Sequence, residues 1–180
     1  MQKTLWGNTS QRYGRISILL HWVMALMLIG MYLLGDYMVD LDYYDPWYHD
    51  TMSIHKAIGV FVFLLLVSRY LWNKLQTQPH PLQTDHTKQN FLAKAGHNLL
   101  YLLVLTLIVS GYLISTAKGQ GIDVFGWFDI PVVLADDADR GELAGDVHNI
   151  VGTVFAVMVA LHAVAALIHH FIFKDKTSNR

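Results

Sequence analysis

Four long apolar segments dominate this sequence and limit what it can fold into. They cover approximately residues 16–34, 54–72, 99–114 and 147–173. Three are long enough for a helix that crosses a bilayer, which needs roughly 20 residues, and the third becomes so when it is extended back to Ala95. With 53% hydrophobic and 15% charged residues, the chain is too apolar for an ordinary soluble domain. We therefore predict an all-α membrane protein, a four-helix transmembrane bundle, with helices at about 14–36, 52–74, 92–116 and 145–173.

Charged residues are divided unequally among the segments that flank these helices. Ten of the 13 Lys and Arg residues lie in the N-terminal leader, around the connection between helices 2 and 3, and in the tail, whereas 12 of the 14 acids lie in the other two connections. Lys and Arg accumulate on the cytoplasmic side of membrane proteins. Both termini are therefore predicted to be cytoplasmic.

Several histidines lie inside the apolar segments. His55 and His148 open helices 2 and 4 near the outer face, whereas His21 and His97 lie towards the inner face on helices 1 and 3. His162 follows His148 by 14 residues, which is about 21 Å along a helix and about 1400° of rotation, so the two imidazoles project from nearly the same side. An ionisable side chain in hydrocarbon is costly and indicates a functional site. The sequence thus predicts two levels of histidines on different helices.

The residues that the chain lacks restrict the kind of metal centre. It has no cysteine, which excludes disulfides, iron–sulfur clusters, thiolate-ligated haem and covalent haem attachment through C-x-x-C-H. A structural zinc site needs four converging ligands, which two levels about 21 Å apart cannot supply. Two imidazoles per level suit the axial positions of a haem iron. A hydrogen bond between helices or a proton relay would explain one or two of the histidines, but not both levels.

Glycines recur at regular distances from these histidines. Gly59 and Gly152 each follow an outer histidine by four residues, and Gly35 and Gly111 each follow an inner one by 14 residues. A glycine leaves space for a flat macrocycle beside a helix, whereas close helix packing in membranes also uses small residues. The spacing alone fits both interpretations.

Four segments give the chain a specific resemblance to a known family. They are ISILLHWVMALMLIGMYLLG, MSIHKAIGVFVFLLLVSRYLW, LAKAGHNLLYLLVLTLIVSGYL and DVHNIVGTVFAVMVALHAVAALIHHFIFKD. In order and spacing from Arg12 to Asp175, they resemble the bacterial cytochrome b561 family of small dihaem membrane cytochromes, which includes superoxide oxidase. The fourth segment, which ends in HH, an aromatic residue and KD, is the most specific. The resemblance implies one integral membrane domain over residues 1–180 in the bacterial inner membrane.

The resemblance also implies two b-type haems with four histidine ligands. His55 and His148 would ligate the outer haem b, and His21 and His162 the inner haem b. The four-helix bundle would hold both groups between its helices.

A quinone pocket is implied at the inner end of the bundle. The resemblance places His169 beside it, with Arg69 and Lys74 close enough to contact the quinone carbonyl or a haem propionate. His97 fits either a supporting role near this pocket or a packing role.

The activity implied by the resemblance is electron transfer between a donor at the outer face, foremost superoxide, and the ubiquinone pool. Such a protein would be an oxidoreductase of the superoxide:ubiquinone type. The acidic outer connections disfavour an anion, although Lys56, Lys118 and Arg140 could form a local cationic funnel. Lys56 is best placed as a donor-side residue because it adjoins His55. The acidic surface suits a basic periplasmic electron-transfer protein at least as well.

Two other classes of protein fit the same pattern. The chain could be the haem-b subunit of a larger respiratory dehydrogenase or hydrogenase complex, although its short tails favour a stand-alone protein or a homodimer. It could also be a non-redox metal or proton transporter. Membrane lipid is a partner in every case, and the pattern offers no nucleic-acid site. A reduced-minus-oxidised optical spectrum separates the redox classes from the transporter.

Overall fold

The computed structural model describes residues 6–80 and 87–173, and four long helices dominate them. These are α1 (Arg15–Val39), α2 (Tyr48–Leu75), α3 (Thr87–Thr116) and α4 (Ala138–Ile168), which continues as a short π-helix (His169–Phe173). All four are long and apolar enough to cross a membrane. The predicted four-helix transmembrane bundle is therefore confirmed. Some charged residues used to orient the chain lie outside the described residues, namely Lys3, Asp85, Lys174, Asp175, Lys176 and Arg180, as does the side chain of Lys88.

The apolar side chains of the helices are mostly exposed at the surface of the bundle. Leu26 of α1 is 66% exposed, Leu102 of α3 60% and Leu161 of α4 58%. A lipid bilayer would cover these side chains, whereas a soluble monomer rarely exposes so much contiguous apolar surface. The buried core is small and draws on all four helices, with Met24, Val62, Leu66, Leu103, Val104 and Phe155.

The helices pack unequally against one another. The α3 helix packs most extensively against α4, α1 packs against α2, and α2 also contacts α3. Among the described residues, α1 and α4 are not closely packed. The bundle therefore consists of two helical hairpins joined through α2 and α3, with space between α1 and α4.

Three helices begin earlier than predicted, at Tyr48, Thr87 and Ala138. For α4 the start is fixed by Asp137, whose side chain accepts a hydrogen bond from the backbone N–H of Arg140 at 2.9 Å. Such a cap stabilises the first turn of a helix. Because α4 opens with the largely polar stretch ADRGELAGD, the apolar pattern located the membrane-embedded part of the helix and missed its outer extension.

The connection between α3 and α4 contains a small β-hairpin that the sequence analysis did not predict. Strand β1 (Ile122–Val124) pairs antiparallel with β2 (Phe128–Ile130). Three residues connect the strands, and the Trp127 N–H donates to the carbonyl of Val124 at 3.0 Å. The two central residues of this turn, Phe125 and Gly126, have φ of +55° and +71°, the positive sign that a type I′ turn has at both. Val124 is fully buried, and the ring of Phe125 stacks on Phe61 of α2 at 6.2 Å. The hairpin thus packs against α2 at the end of the bundle that is predicted to face outwards. This end is called the outer end below, and the opposite end the inner end.

The N-terminal leader joins the inner ends of α1 and α2. The Ser17 hydroxyl donates to Asn8 Oδ1 at 2.6 Å and accepts from the indole N–H of Trp72 at 2.9 Å. The backbone N–H of Asn8 donates to Gln76 Oε1 at 3.1 Å. These bonds fix the inner ends of the two helices that carry His21 and Arg69.

Candidate functional site

The outer level of the bundle holds a facing pair of imidazoles. His55 of α2 and His148 of α4 have ring centroids 6.2 Å apart, with an angle of 71° between their planes. Gly35 of α1 and Gly111 of α3 flank this pair. A Cβ atom at Gly35 would lie 3.4 Å from His55 Cε1, and one at Gly111 would lie 3.3 Å from His148 Cε1. The glycines therefore let the imidazoles approach the neighbouring helices closely.

The glycines one turn deeper are less crowded. A Cβ atom at Gly59 would meet only the methyl group of Met31, and one at Gly152 only a methyl group of Leu107, both at 3.9 Å. These are ordinary van der Waals distances. The outer imidazoles thus lie close to Gly35 of α1 and Gly111 of α3. Gly59 of α2 and Gly152 of α4 instead leave space one turn deeper.

A serine on α3 orients one of the outer imidazoles. Ser110 is 4% exposed, and its hydroxyl donates to the carbonyl of Thr106 at 2.7 Å. His148 Nδ1 lies 3.0 Å from the same oxygen. Because the serine proton is directed to a carbonyl, Nδ1 is the donor of this second bond, and the lone pair of the imidazole is on Nε2. Such a bond is the usual support of a metal-ligating histidine.

His55 has no comparable support. Its Nδ1 is buried and has no hydrogen-bond partner among the described residues. A buried polar atom without a partner is unusual in a folded protein and calls for an explanation such as a missing ligand or water. The two imidazoles of the outer pair are therefore held differently.

The inner level repeats the facing arrangement. His21 of α1 and His162 of α4 have ring centroids 6.4 Å apart, with an angle of 72° between their planes. They face each other across the space between α1 and α4, and both line a cavity that also includes Phe155 and Val159. Each pair therefore takes one histidine from α4 and one from another helix.

Both pairs fit a single metal ion between two imidazoles, as in a haem with two axial histidines. A metal–nitrogen bond of about 2.0 Å, with the ring centroid roughly 1.1 Å behind the nitrogen, places the two centroids about 6.2 Å apart. The measured separations are 6.2 and 6.4 Å. Within residues 6–80 and 87–173, no three His, Asp or Glu side chains are grouped to hold a bare metal ion. The residues present therefore suit haem at both levels.

A third histidine contacts the inner pair. The ring of His97 lies 5.3 Å from that of His162, and its Nδ1 lies 2.7 Å from the carbonyl of Ala93. Since a carbonyl only accepts, Nδ1 donates and Nε2 of His97 keeps its lone pair. His97 also lines the inner cavity, together with His21 and His162.

The inner cavity also contains a polar cluster centred on Tyr101, which the sequence analysis missed. The hydroxyl of Tyr101 accepts from Nε of Arg69 at 2.9 Å and from Nδ2 of Asn73 at 3.2 Å. Arg69 and Tyr101 both line the cavity with the inner histidines. Lys74 lies elsewhere, with its Nζ 5.4 Å from the ring centroid of Tyr70. The available signal for Tyr101 was its position four residues after His97, on the same face of α3.

His169 lies at the point where α4 changes to a π-helix. It is half-buried, and its backbone N–H donates to the carbonyls of Ala165 and Ala166. Because it follows His162 by seven residues, it lies about 10 Å further along nearly the same face. π-Helical turns are frequent at functional sites. This places His169 beyond the inner pair, towards the inner end of the bundle.

The three outer cations do not share one environment. Lys56 is exposed on α2 directly after His55, and Lys118 is exposed after the end of α3. Arg140 differs, because its Nε and Nη2 atoms are buried and line a groove between α3 and α4. The expected funnel of three cations is therefore reduced to the two lysines.

A four-helix membrane bundle with two facing imidazole pairs has the architecture of a small membrane cytochrome. The chain belongs to the prokaryotic cytochrome b561 family, whose sequence profile matches residues 12–180. It is therefore a membrane electron-transfer protein of a bacterial family whose members carry b-type haem.

Individual relatives match over nearly the whole chain. Cytochrome b561 homolog 2 of Escherichia coli strain K12 is 45% identical over 173 residues, covering 96% of this chain and 92% of the relative. The probable superoxide oxidase CybB of Yersinia pestis is 26% identical, covering 93% of each chain. Cytochrome b562 of Cereibacter sphaeroides is 27% identical, covering 91% of this chain and 90% of the relative.

Proposed function

We propose that this protein is a dihaem cytochrome that transfers electrons from a donor at the outer face of the bacterial inner membrane to ubiquinone near the inner face. The observation that carries the proposal is the two pairs of facing imidazoles, whose ring centroids are 6.2 and 6.4 Å apart. Two b-type haems bound there would supply one-electron redox chemistry. Two electrons are needed to reduce one quinone, so two donor oxidations accompany each turnover.

Four histidines would hold the two haems. His55 and His148 would provide the axial nitrogens of the outer group, and His21 and His162 those of the inner group. The 14 residues between the two α4 histidines set the levels about 21 Å apart along the helix. Held between two imidazoles at each level, the groups would supply one-electron transfer and not chemistry on a bound donor.

The quinone would bind at the inner end of the bundle, beside His169. Arg69 gives one of its N–H groups to Tyr101, and the guanidinium has five such donors. Its other donors can therefore hold a quinone carbonyl or a haem propionate. Lys74 lies over the ring of Tyr70, so its role would be to add positive charge at the rim rather than to line the cavity.

Superoxide is the proposed donor. The name of the Yersinia pestis relative, probable superoxide oxidase, supports this choice, and exposed Lys56 next to His55 provides a local positive charge for an anion. In the balanced reaction two superoxide ions each lose one electron and become dioxygen, and one ubiquinone takes up two electrons and two protons to become ubiquinol.

Lysine and arginine on the predicted cytoplasmic side support an orientation with both termini in the cytoplasm.

A basic periplasmic electron-transfer protein is the second candidate donor. The connection between α1 and α2, with the helix ends that flank it, carries five acids and no Lys or Arg in DYMVDLDYYDPWYHD. An acidic surface attracts a basic partner and raises its association rate at low salt. The two donors therefore predict opposite effects of added positive charge at the outer face on the rate, whereas salt would slow both reactions.

The test uses the purified protein in detergent. The reduced-minus-oxidised spectrum should contain haem b absorbance with two haems per chain, and ubiquinol should form when superoxide is supplied. Absence of haem b would overturn the redox assignment and favour a transporter. If a basic c-type cytochrome reduces the protein and superoxide does not, the donor is the basic protein and not superoxide. Failure of the isolated chain to reduce quinone with either donor would favour a subunit of a larger complex.

A further inference from the structure

The guanidinium of Arg140 lies in a groove between α3 and α4. Its Nε and Nη2 atoms are buried and make no hydrogen bond within the described residues. Arginine stays charged in proteins, and a buried charge is costly unless it is paired and hydrogen-bonded. The position therefore calls for an oxyanion that neither the helices nor the outer loop supplies.

Apart from Thr106 and Ser110, whose hydroxyls donate to helix carbonyls, the rest of the groove is apolar and opens on the outside of the bundle. Leu105, Val109 and Leu113 of α3 face Leu143 and Val147 of α4 across it. Val109 is 50% exposed and Leu143 65%, so the groove faces the region that lipid would fill. From Leu113 to Leu105 it extends about 12 Å along α3. A cation at one end of an apolar channel matches a ligand with an anionic head and a hydrocarbon tail.

Arg140 lies in the largely polar first turns of α4, ahead of the apolar part of the helix. Arg140 is in the first turn of α4, and the adjacent Gly141 packs against Ala117, just after the end of α3. We place the lipid headgroups near this level, because α4 changes from the polar stretch ADRGELAGD to mostly apolar residues from Val147 onwards. The groove would then extend from the headgroups towards the bilayer centre. A guanidinium pairs with phosphate oxygens through charge-assisted, often bidentate, hydrogen bonds.

The acids near this arginine restrict the headgroup. Asp137, Asp139 and Glu142 are all exposed within three residues of Arg140. They would repel a headgroup with a net negative charge and attract an ammonium group next to the phosphate. We propose that the groove binds phosphatidylethanolamine of the outer leaflet, with its phosphate on Arg140 and an acyl chain along α3. This site needs the membrane-spanning fold of the proposed function, but not its haem or quinone chemistry.

The groove adjoins the outer imidazole pair through Ser110. This serine lines the groove, and its hydroxyl lies 3.0 Å from Nδ1 of His148. An acyl chain in the groove would shield that hydrogen bond from water. Lipid bound here would therefore rigidify the support of one outer ligand.

The test measures lipid retention by native mass spectrometry and by thermal melting. Delipidated protein in detergent is titrated with phosphatidylethanolamine, phosphatidylglycerol or diacylglycerol. Wild-type protein should retain one phosphatidylethanolamine and melt at a higher temperature. Arg140→Gln should weaken this binding roughly ten- to hundred-fold, as for the loss of a charge-assisted hydrogen bond. Lys118→Gln, which removes an exposed cation nearby, should leave it unchanged.

A second variant tests the channel without altering the charge. Val109→Trp should fill the groove and abolish retention while the haem spectrum stays normal. Unchanged phosphatidylethanolamine binding by Arg140→Gln would overturn the site, and equal binding of phosphatidylglycerol would overturn the headgroup assignment. If Arg140→Gln instead lowers outer haem content in lipid-free detergent and leaves lipid binding intact, the guanidinium serves a haem propionate and the lipid proposal is wrong.

Discussion

Ser110 of α3 and His148 of α4 are joined by a hydrogen bond, with 3.0 Å between Oγ and Nδ1. Because the serine gives its own proton to the carbonyl of Thr106, the imidazole is the donor. The opposite imidazole, His55, has a buried Nδ1 without a partner among the described residues. The outer pair is therefore asymmetric, and a hydrogen bond of this type makes an imidazole a stronger ligand.

Removing this bond should raise the potential of the outer haem. In Ser110→Ala, His148 becomes a weaker electron donor and the oxidised iron loses stabilisation. A hydrogen bond worth about 0.5–1.5 kcal/mol corresponds to a shift of about 20–60 mV, to be measured by potentiometric titration. The control is Ser115→Ala, whose hydroxyl bonds only to the carbonyl of Gly111. Equal potentials for Ser110→Ala and wild type would contradict the role of this serine.

Each histidine pair should account for one haem. His55→Ala or His148→Ala should reduce the haem-to-protein ratio from two to one, and so should His21→Ala or His162→Ala. The ratio is measured by pyridine haemochrome assay and protein determination. His49→Ala is the matched control, because His49 is exposed at the outer surface, where its ring lies against Tyr43 and Tyr48. Retention of both haems after any of the four ligand changes would refute the pairing.

The glycine beside His148 should not tolerate a larger residue. Since a Cβ atom at Gly111 would already lie 3.3 Å from His148 Cε1, Gly111→Val should displace the imidazole and lower outer haem content. Gly30→Val is the control, because a Cβ atom there would meet nothing within 4 Å. Optical spectra of the two variants, normalised to protein, give the comparison. Similar haem content in both would mean that this glycine serves only helix packing.

The Tyr101 hydroxyl should stabilise the inner end of the bundle. Tyr101→Phe leaves Nε of Arg69 and Nδ2 of Asn73 without their acceptor. We expect a loss of about 1–3 kcal/mol in the free energy of unfolding, seen as a lower melting temperature in detergent. Tyr70→Phe, which keeps the ring next to Lys74, should melt like the wild type. If Tyr101→Phe is as stable as Tyr70→Phe, the cluster does not stabilise the fold, and its role is limited to ligand binding.

Charge reversal at Lys56 tests the donor. If superoxide is attracted by Lys56, Lys56→Glu should slow quinone reduction roughly threefold at low ionic strength, and the difference should shrink as salt screens the charge. Lys94→Glu, an exposed lysine at the opposite end of the bundle, is the control and should leave the rate unchanged. A rate and salt dependence equal to those of the wild type would exclude steering by Lys56, and a faster reaction with a basic cytochrome would support the second donor.

The histidine levels could be predicted because helical geometry is regular. Once the apolar segments define helices, a spacing of 14 residues fixes both the depth and the direction of His148 and His162. The partners of these residues on other helices were predicted by level and by family resemblance, and the structure brings His55 to His148 and His21 to His162. Membrane burial strengthens such predictions, because an ionisable side chain in hydrocarbon is costly and therefore indicates a functional site.

The supporting contacts were not predictable in the same way. Ser110 and Tyr101 are ordinary residues of an apolar helix, and their roles depend on how α3 is rotated against α4 and α2. The β-hairpin was missed because each strand has only three residues and the middle residue of each is an aspartate. Arg140 was expected near the outer haem, but the packing of α3 against α4 places its guanidinium in a groove between them.

The sequence by itself determined the membrane-spanning class, the number of helices and the levels of the histidines, since bilayer thickness and helical rise leave little freedom once the apolar segments are long enough. The tertiary structure alone decided which side chains meet across helices: Gly111 against His148, Ser110 as its acceptor, Tyr101 between Arg69 and Asn73. The reason is physical. Rise and rotation along one helix follow from covalent geometry and local hydrogen bonds, whereas the rotation of one helix against another depends on the packing of all its neighbours.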